Sequence, residues 1–136
     1  MSSEITVRKI MRTSISIDSK AKVKDAARMM IERGVGSLIA NREGLPFGII
    51  TERDLVGKIV AKAADPSKLT VADIMTAPLT TIDASATLID AARKMVQKQI
   101  KRLVVTEHDK IIGIITQTDL VHSMTDFQEL AKMGMA

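Results

Sequence analysis

The sequence predicts an α+β fold made of two copies of one β-α-β-β-α unit, and three observations carry the prediction. Gly48-Ile49-Ile50-Thr51-Glu52-Arg53-Asp54-Leu55-Val56 recurs 65 residues later as Gly113-Ile114-Ile115-Thr116-Gln117-Thr118-Asp119-Leu120-Val121. The same register pairs Ile17-Asp18 with Ile82-Asp83, and Asp25-Ala26-Ala27-Arg28-x-Met30 with Asp90-Ala91-Ala92-Arg93-x-Met95. A one-residue slip after Met11 then pairs Val7, Ile10 and Met11 with Val71, Ile74 and Met75, giving 19 identities between Val7 and Val60. A period this long, used only twice, does not suit a solenoid. Two half-sized units that complete each other's core are expected instead, with any binding site arriving as a related pair.

Each element follows from local pattern. Ile15–Ile17 and Thr80–Ile82 gather β-branched residues and read as short strands. Val23, Ala26, Ala27, Met30 and Ile31 then recur at helical spacing, as do Leu88, Ala91, Ala92, Met95 and Val96. Thr87-x-x-Asp90 opens the later helix with a capping signature, and Gly34 suits the left-handed stop of the earlier one. Apolar runs Leu38–Ala40 and Leu103–Val105 follow. Turn-rich Asn41–Pro46 and Glu107–Lys110 join them to the strands Phe47–Ile50 and Ile111–Ile115, a hairpin pattern. A second helix begins at Glu52 or Gln117. The repeats span 5–62 and 70–125, joined by Ala61–Leu69, whose brevity favours close packing. Residues 126–136 form a tail, in which Thr125–Met133 reads as a terminal helix with Phe127, Leu130 and Ala131 on one face. Met1–Ser3 are expected to be loose.

Composition narrows the function. The 136 residues suit one compact domain, and 46% apolar content supplies a core. Cysteine is absent, which removes disulfides, Cys-metal sites and thiol nucleophiles. No apolar run reaches membrane-spanning length and the polar start lacks a signal core, so a cytoplasmic protein is expected. Residues 1–62 carry a net +5 and the remainder −1, enough to attract an anionic ligand or nucleic acid. Single-stranded bases need aromatic platforms, and only Phe47 and Phe127 exist. Nucleic acid therefore ranks below a small anion. His108 and His122 share no metal-ligand spacing. The nine Met read as core filler.

Thr51-x-x-Asp54 and Thr116-x-x-Asp119 carry the chemistry that remains. One reading is a helix start, with Thr as cap and the acid returning a hydrogen bond. The other is a ligand site: helix N–H groups favour phosphate, and a carboxylate accepts from both hydroxyls of a ribose. The two readings are compatible. No nucleophile–base pair accompanies either acid, so a non-enzymatic role is expected.

Two copies that open on Ile-Met and close on Gly-Ile-Ile-Thr-x-x-Asp-Leu resemble a tandem pair of CBS domains, the Bateman module, over about residues 5–125. The resemblance implies two repeats packed with pseudo-twofold symmetry into one globular module. It also implies two clefts for adenosine-containing ligands such as AMP, ADP, ATP or S-adenosylmethionine. In one cleft, Asp119 would hold ribose, with Thr116, Thr118, Lys101 and Arg102 facing phosphate. Thr13, Ile15, Val35 and Gly36 from the other half would face adenine. In the second cleft the counterparts are Asp54, Thr51, Arg53, Gly36 and Ser37, with Pro78, Thr80, Ile100 and Lys101 from the other half. Lys101-Arg102 stands where the first copy has Gly36-Ser37, so the two clefts differ in charge. Without a ligand, Lys101 and Arg102 read as solvated ends of a helix–strand junction.

The expected function is thus a stand-alone regulatory module that binds an adenine nucleotide as regulatory ligand, requires no cofactor or metal, and pairs as a homodimer acting on an effector protein. The rival is a constitutive dimeric scaffold with vestigial clefts, and a nucleic-acid binder ranks below both.

Overall fold

The computed structural model describes residues 5–130, with side chains as far as Met124. It divides into two compact units. One comprises Ser14–Leu79; the other joins the residues up to Thr13 to those from Thr80 onward. We call them the Asp54 unit and the Asp119 unit. Their boundaries differ from the sequence stretches 5–62 and 70–125.

In the Asp54 unit, β1 (Ser16–Asp18) pairs in parallel with β2 (Ser37–Arg42), which pairs antiparallel with β3 (Leu45–Thr51). Between β1 and β2 runs α2 (Val23–Arg33), which buries Val23, Ala26 and Met30 at the anticipated helical spacing. The helix stops at Gly34, whose φ of 65° is the left-handed conformation a residue without Cβ adopts at no steric cost. The β2–β3 turn is only Glu43-Gly44, with φ of 53° and 78°, as a tight two-residue hairpin requires. Asn41, Arg42, Leu45 and Pro46, expected in the turn, belong to the ladder. Pro46 is tolerated because β3 is an edge strand. Ala40 pairs with Gly48 and Asn41 with Pro46, so Phe47 is the extra residue of a bulge. The Arg42 guanidinium stacks on its ring, 3.7 Å from the centroid.

The Asp119 unit repeats this plan with β4 (Thr81–Asp83), α5 (Leu88–Lys98), β5 (Arg102–Glu107) and β6 (Lys110–Thr116). Its hairpin turn is His108-Asp109, with φ of 51° and 63°. The Thr87–Asp90 capping box is formed, and Gln99 takes the left-handed stop that Gly34 takes in the first copy. After β3, α3 (Glu52–Asp54) passes into a π-helical stretch, Leu55–Val60. After β6, α6 runs unbroken from Gln117 to Leu130. The segment from Thr125 therefore continues α6 and does not start a separate helix. Ala131 to Met133, the rest of the 126–136 tail and Met1–Ser3 lie outside the described residues, as do the side chains of Phe127 and Leu130.

The unit boundaries differ because the opening segment of each copy folds with the other copy. Two one-turn helices that the sequence reading missed, α1 (Val7–Ile10) and α4 (Val71–Ile74), mark these lead-ins. Val7 N–H donates to Ala86 O at 2.8 Å, and the Val7 side chain is fully buried in the core around Leu103, Val105 and Ile115. Val71 N–H donates to Ala21 O at 2.8 Å, and Val71 and Ile74 enter the core around Leu38, Ala40 and Ile50. Apolar identity at positions 7/71 and 10/74 in sequence is thus the imprint of two equivalent docking sites.

Candidate functional site

Both Thr-x-x-Asp motifs form capping boxes. Thr51 ends β3 in extended conformation, and its hydroxyl accepts from Asp54 N–H at 3.3 Å. Asp54 Oδ2 accepts from Thr51 N–H at 2.9 Å and from Thr51 Oγ1 at 3.2 Å. At the second copy the same three bonds measure 3.2, 2.8 and 3.0 Å. Each box engages one carboxylate oxygen, Oδ2. Burial separates these boxes from the two others among the described residues. Asp73 and Asp90 close boxes on Thr70 and Thr87 and are exposed. Asp54 and Asp119 are only 6% and 4% exposed. A cap does not require a buried carboxylate, so something else keeps these two out of water.

The second oxygen, Oδ1, supplies the distinction. Arg12 Nε donates to Asp119 Oδ1 at 2.7 Å. At Asp54, Lys58 Nζ lies 3.0 Å from Oδ1 and Thr76 Oγ1 donates to it at 3.3 Å. Arg12 and Thr76 are equivalent residues on the two lead-ins. Arg12 exchanges backbone hydrogen bonds with Ile114, both 2.9 Å, and Thr76 with Ile49, 2.8 and 2.9 Å. The glycine of each long motif permits that approach, since a Cβ on Gly113 or Gly48 would lie 2.7 or 2.8 Å from the lead-in carbonyl oxygen. The charge partner therefore comes from different places: from the lead-in for Asp119, and from four residues along the chain for Asp54. Ser123 stands at the position that matches Lys58.

The remaining candidates fall at the ends of the two hairpins. Arg102 is the register partner of Thr116, and Lys101 O accepts from Gln117 N–H at 2.8 Å. With exposed Thr118, these residues and Asp119 share one end of the β5–β6 pair. In the Asp54 unit, Ser37 pairs with Thr51, Gly36 O accepts from Glu52 N–H at 3.0 Å, and Arg53 is exposed at the same end. Thr13 was expected from the half opposite Asp119, but it belongs to the Asp119 unit because its lead-in docks there. Pro78 joins the Asp54 unit for the same reason. Ile15 and Val35 flank the core of the Asp54 unit, which also holds Gly36; Ile100 flanks that of the Asp119 unit, which also holds Thr80 and Lys101.

Arg12, Lys58 and Thr76 are the site residues that sequence reading missed. Lys58 lies one helical turn beyond Asp54, a spacing that favours an ion pair, and this signal was readable. Arg12 was not, because its contact depends on the lead-in docking with the other copy. His108 and His122 are exposed, and no group of three or more His, Asp or Glu able to hold a metal ion occurs among the described residues.

A family model of the CBS domain matches residues 7–61 and again 71–126. The chain belongs to the CBS-domain family. Among its relatives, an uncharacterized protein of Methanopyrus kandleri is 36% identical over 120 residues, covering 86% of this chain and 61% of that protein. The chain therefore spans about three-fifths of that relative's length. A CBS-domain protein of Bacillus subtilis is 27% identical over 116 residues, with 85% of this chain and 82% of the relative covered. Among solved structures, a CBS-domain protein of Burkholderia ambifaria superposes with TM-score 0.82 at 30% identity, covering 88% of this chain and 93% of the other. A hexameric CBS-CP12 protein from bloom-forming cyanobacteria gives 0.84 at 31%, covering 93% and 75%. Two like repeats in an α+β arrangement are the fold of this CBS pair. Among the described residues no helix is long and apolar enough to cross a membrane.

Proposed function

We propose that this CBS pair is a regulatory module that binds an adenosine-containing ligand, AMP, ADP or ATP, and passes its occupancy to an effector protein without catalysing a reaction. One observation carries the reading: of the capping-box acids among the described residues, only those of the two long motifs are buried, each with Oδ1 turned away from its box. A buried carboxylate whose second oxygen lies outside its capping box suits a ribose diol. Thr116, Thr118, Lys101 and Arg102 at the same hairpin end suit a phosphate, and charge-assisted hydrogen bonds of about 1.5–3 kcal/mol each would favour a charged nucleotide. A bound ligand shifts the module between conformations only by its differential affinity for them.

Calorimetry tests this with AMP, 2′-deoxy-AMP and adenosine. Asp119→Ala should weaken AMP about tenfold or more, a loss of ~1.4 kcal/mol, and should abolish discrimination against the 2′-deoxy analogue. Arg102→Ala should penalise AMP more than adenosine. Unchanged AMP affinity in both variants removes the Asp119 site from the reading.

A second reading, a self-associating scaffold, draws on apolar residues exposed at equivalent helix positions: Ile31 and Val96, and Val56 and Val121. Such residues mark contact surfaces when they cluster. If it holds, Val96→Lys should lower the mass measured by sedimentation while leaving nucleotide binding intact.

A further inference from the structure

A carboxylate offers about four lone-pair positions. At Asp54 these positions are crowded: Thr51 N and Oγ1 donate to Oδ2, Thr76 Oγ1 donates to Oδ1, and the Lys58 ammonium pairs with Oδ1 at 3.0 Å. At Asp119 the box likewise engages Oδ2, while Oδ1 accepts from Arg12 Nε. A vicinal diol that gives both hydroxyl hydrogens to either carboxylate must take an Oδ1 position from a donor already there. We propose that Arg12 and Lys58 are built-in competitors for the ligand's hydroxyls, that binding proceeds by displacing them, and that the Asp119 site fills first. The inference rests on the adenosine reading above and adds what regulates that site.

The two competitors are held differently. Arg12 has a fixed backbone, bonded twice to Ile114, and a side chain that is 63% exposed against 3% for Asp119. Displacement needs only a rotation of the guanidinium into water, where it is readily solvated; the lead-in itself need not move. Lys58, ion-paired with Asp54, donates to Ile74 O at 2.7 Å, which holds the ammonium beside Asp54. Thr76 must turn away as well. Both the Thr76 hydroxyl and the paired Lys58 ammonium must leave Oδ1 of Asp54, where Arg12 is the one group to be displaced at Asp119, so the Asp119 site exchanges more readily. In both cases the cation keeps a buried carboxylate partnered, which its removal from water requires.

Adenosine is the probe, because it is uncharged and a lost cation cannot alter its affinity through phosphate attraction. Arg12→Gln should tighten adenosine about fivefold, a modest gain because the displaced guanidinium is already largely in water. The gain should vanish when Asp119→Ala is added, and 2′-deoxyadenosine should gain less. Lys58→Met provides an independent variant, expected to raise affinity at the weaker of two sites. If Asp119→Ala weakens adenosine while neither Arg12→Gln nor Lys58→Met strengthens it, competition is wrong and the adenosine reading stands. If adenosine binding ignores Asp119→Ala and Asp54→Ala alike, both fall.

Discussion

Gly113 and Arg12 lie so close that a Cβ on the glycine would sit 2.7 Å from the arginine's carbonyl oxygen and 2.8 Å from Met11 Sδ. The oxygen is backbone and carries the hydrogen bond from Ile114 N–H, so it cannot retreat without breaking the bridge. Gly113→Ala should therefore destabilise by about 1–3 kcal/mol, the usual range for overpacking. It should also speed amide exchange at Ile114. Denaturant titration and hydrogen exchange check this; normal protection at Ile114 would show that the lead-in adapts. Gly48→Ala should act alike on the Ile49 amide, because its Cβ would lie 2.8 Å from Thr76 O.

Fragment behaviour follows from the docking of the lead-ins. Residues 14–79 hold the complete core of the Asp54 unit, including Val71 and Ile74. Residues 1–64 lack both. The first fragment should show more native-like circular dichroism and slower amide exchange than the second, despite similar length. Equal folding of the two would contradict the unit boundaries.

Acid should weaken the exposed boxes of Asp73 and Asp90. Asp90 is held below its ordinary value of 3.8, first by the Thr87 backbone N–H and then by the Thr87 side chain. Asp73 is lowered the same way by Thr70. A carboxyl depressed by folding contributes stability that is full above its unfolded value and is lost as pH falls through its folded value. Asp90→Asn should therefore lower the melting temperature at neutral pH, and the deficit should shrink once pH passes below 3.8. A deficit that stays constant through that window would mean ionisation of Asp90 is irrelevant to the cap.

Nucleic-acid binding should be weak and should disappear at moderate salt, since it would rest on phosphate contacts alone. Fluorescence anisotropy with single- and double-stranded oligonucleotides measures it. Tight, sequence-selective binding at physiological salt would promote the basic first half of the sequence from background to function.

Much of the fold was legible because both copies carry strong local signals. Gly34, the Thr87–Asp90 box and the apolar faces of Val23–Met30 and Leu88–Met95 fix their elements within a few residues. Pro46 misled by suggesting a longer turn, because a proline on a sheet edge leaves no local trace of being paired. Gln99 shows that a left-handed stop can form without glycine. The π-helical stretch after Asp54 had no sequence signal at all. At the site, the acids and threonines were readable from repetition, whereas Arg12 and Thr76 depend on which copy a lead-in joins. Repeat alignment is blind to that choice, since Val7 and Val71 match each other equally well whichever way the segments dock.

The crossed lead-ins also constrain descent. A lone ancestral copy would have carried an orphan opening segment together with a berth of matching shape, and two such chains would have satisfied one another by trading. Fusion into one gene preserves that barter inside a single molecule. Neither twin can then be deleted, duplicated or shuffled into another protein at its sequence boundary without stripping a core residue such as Val7 or Val71 from its sibling. The heritable module is the couple, and recombination that respects the fold must cut elsewhere, near Thr13 and Leu79.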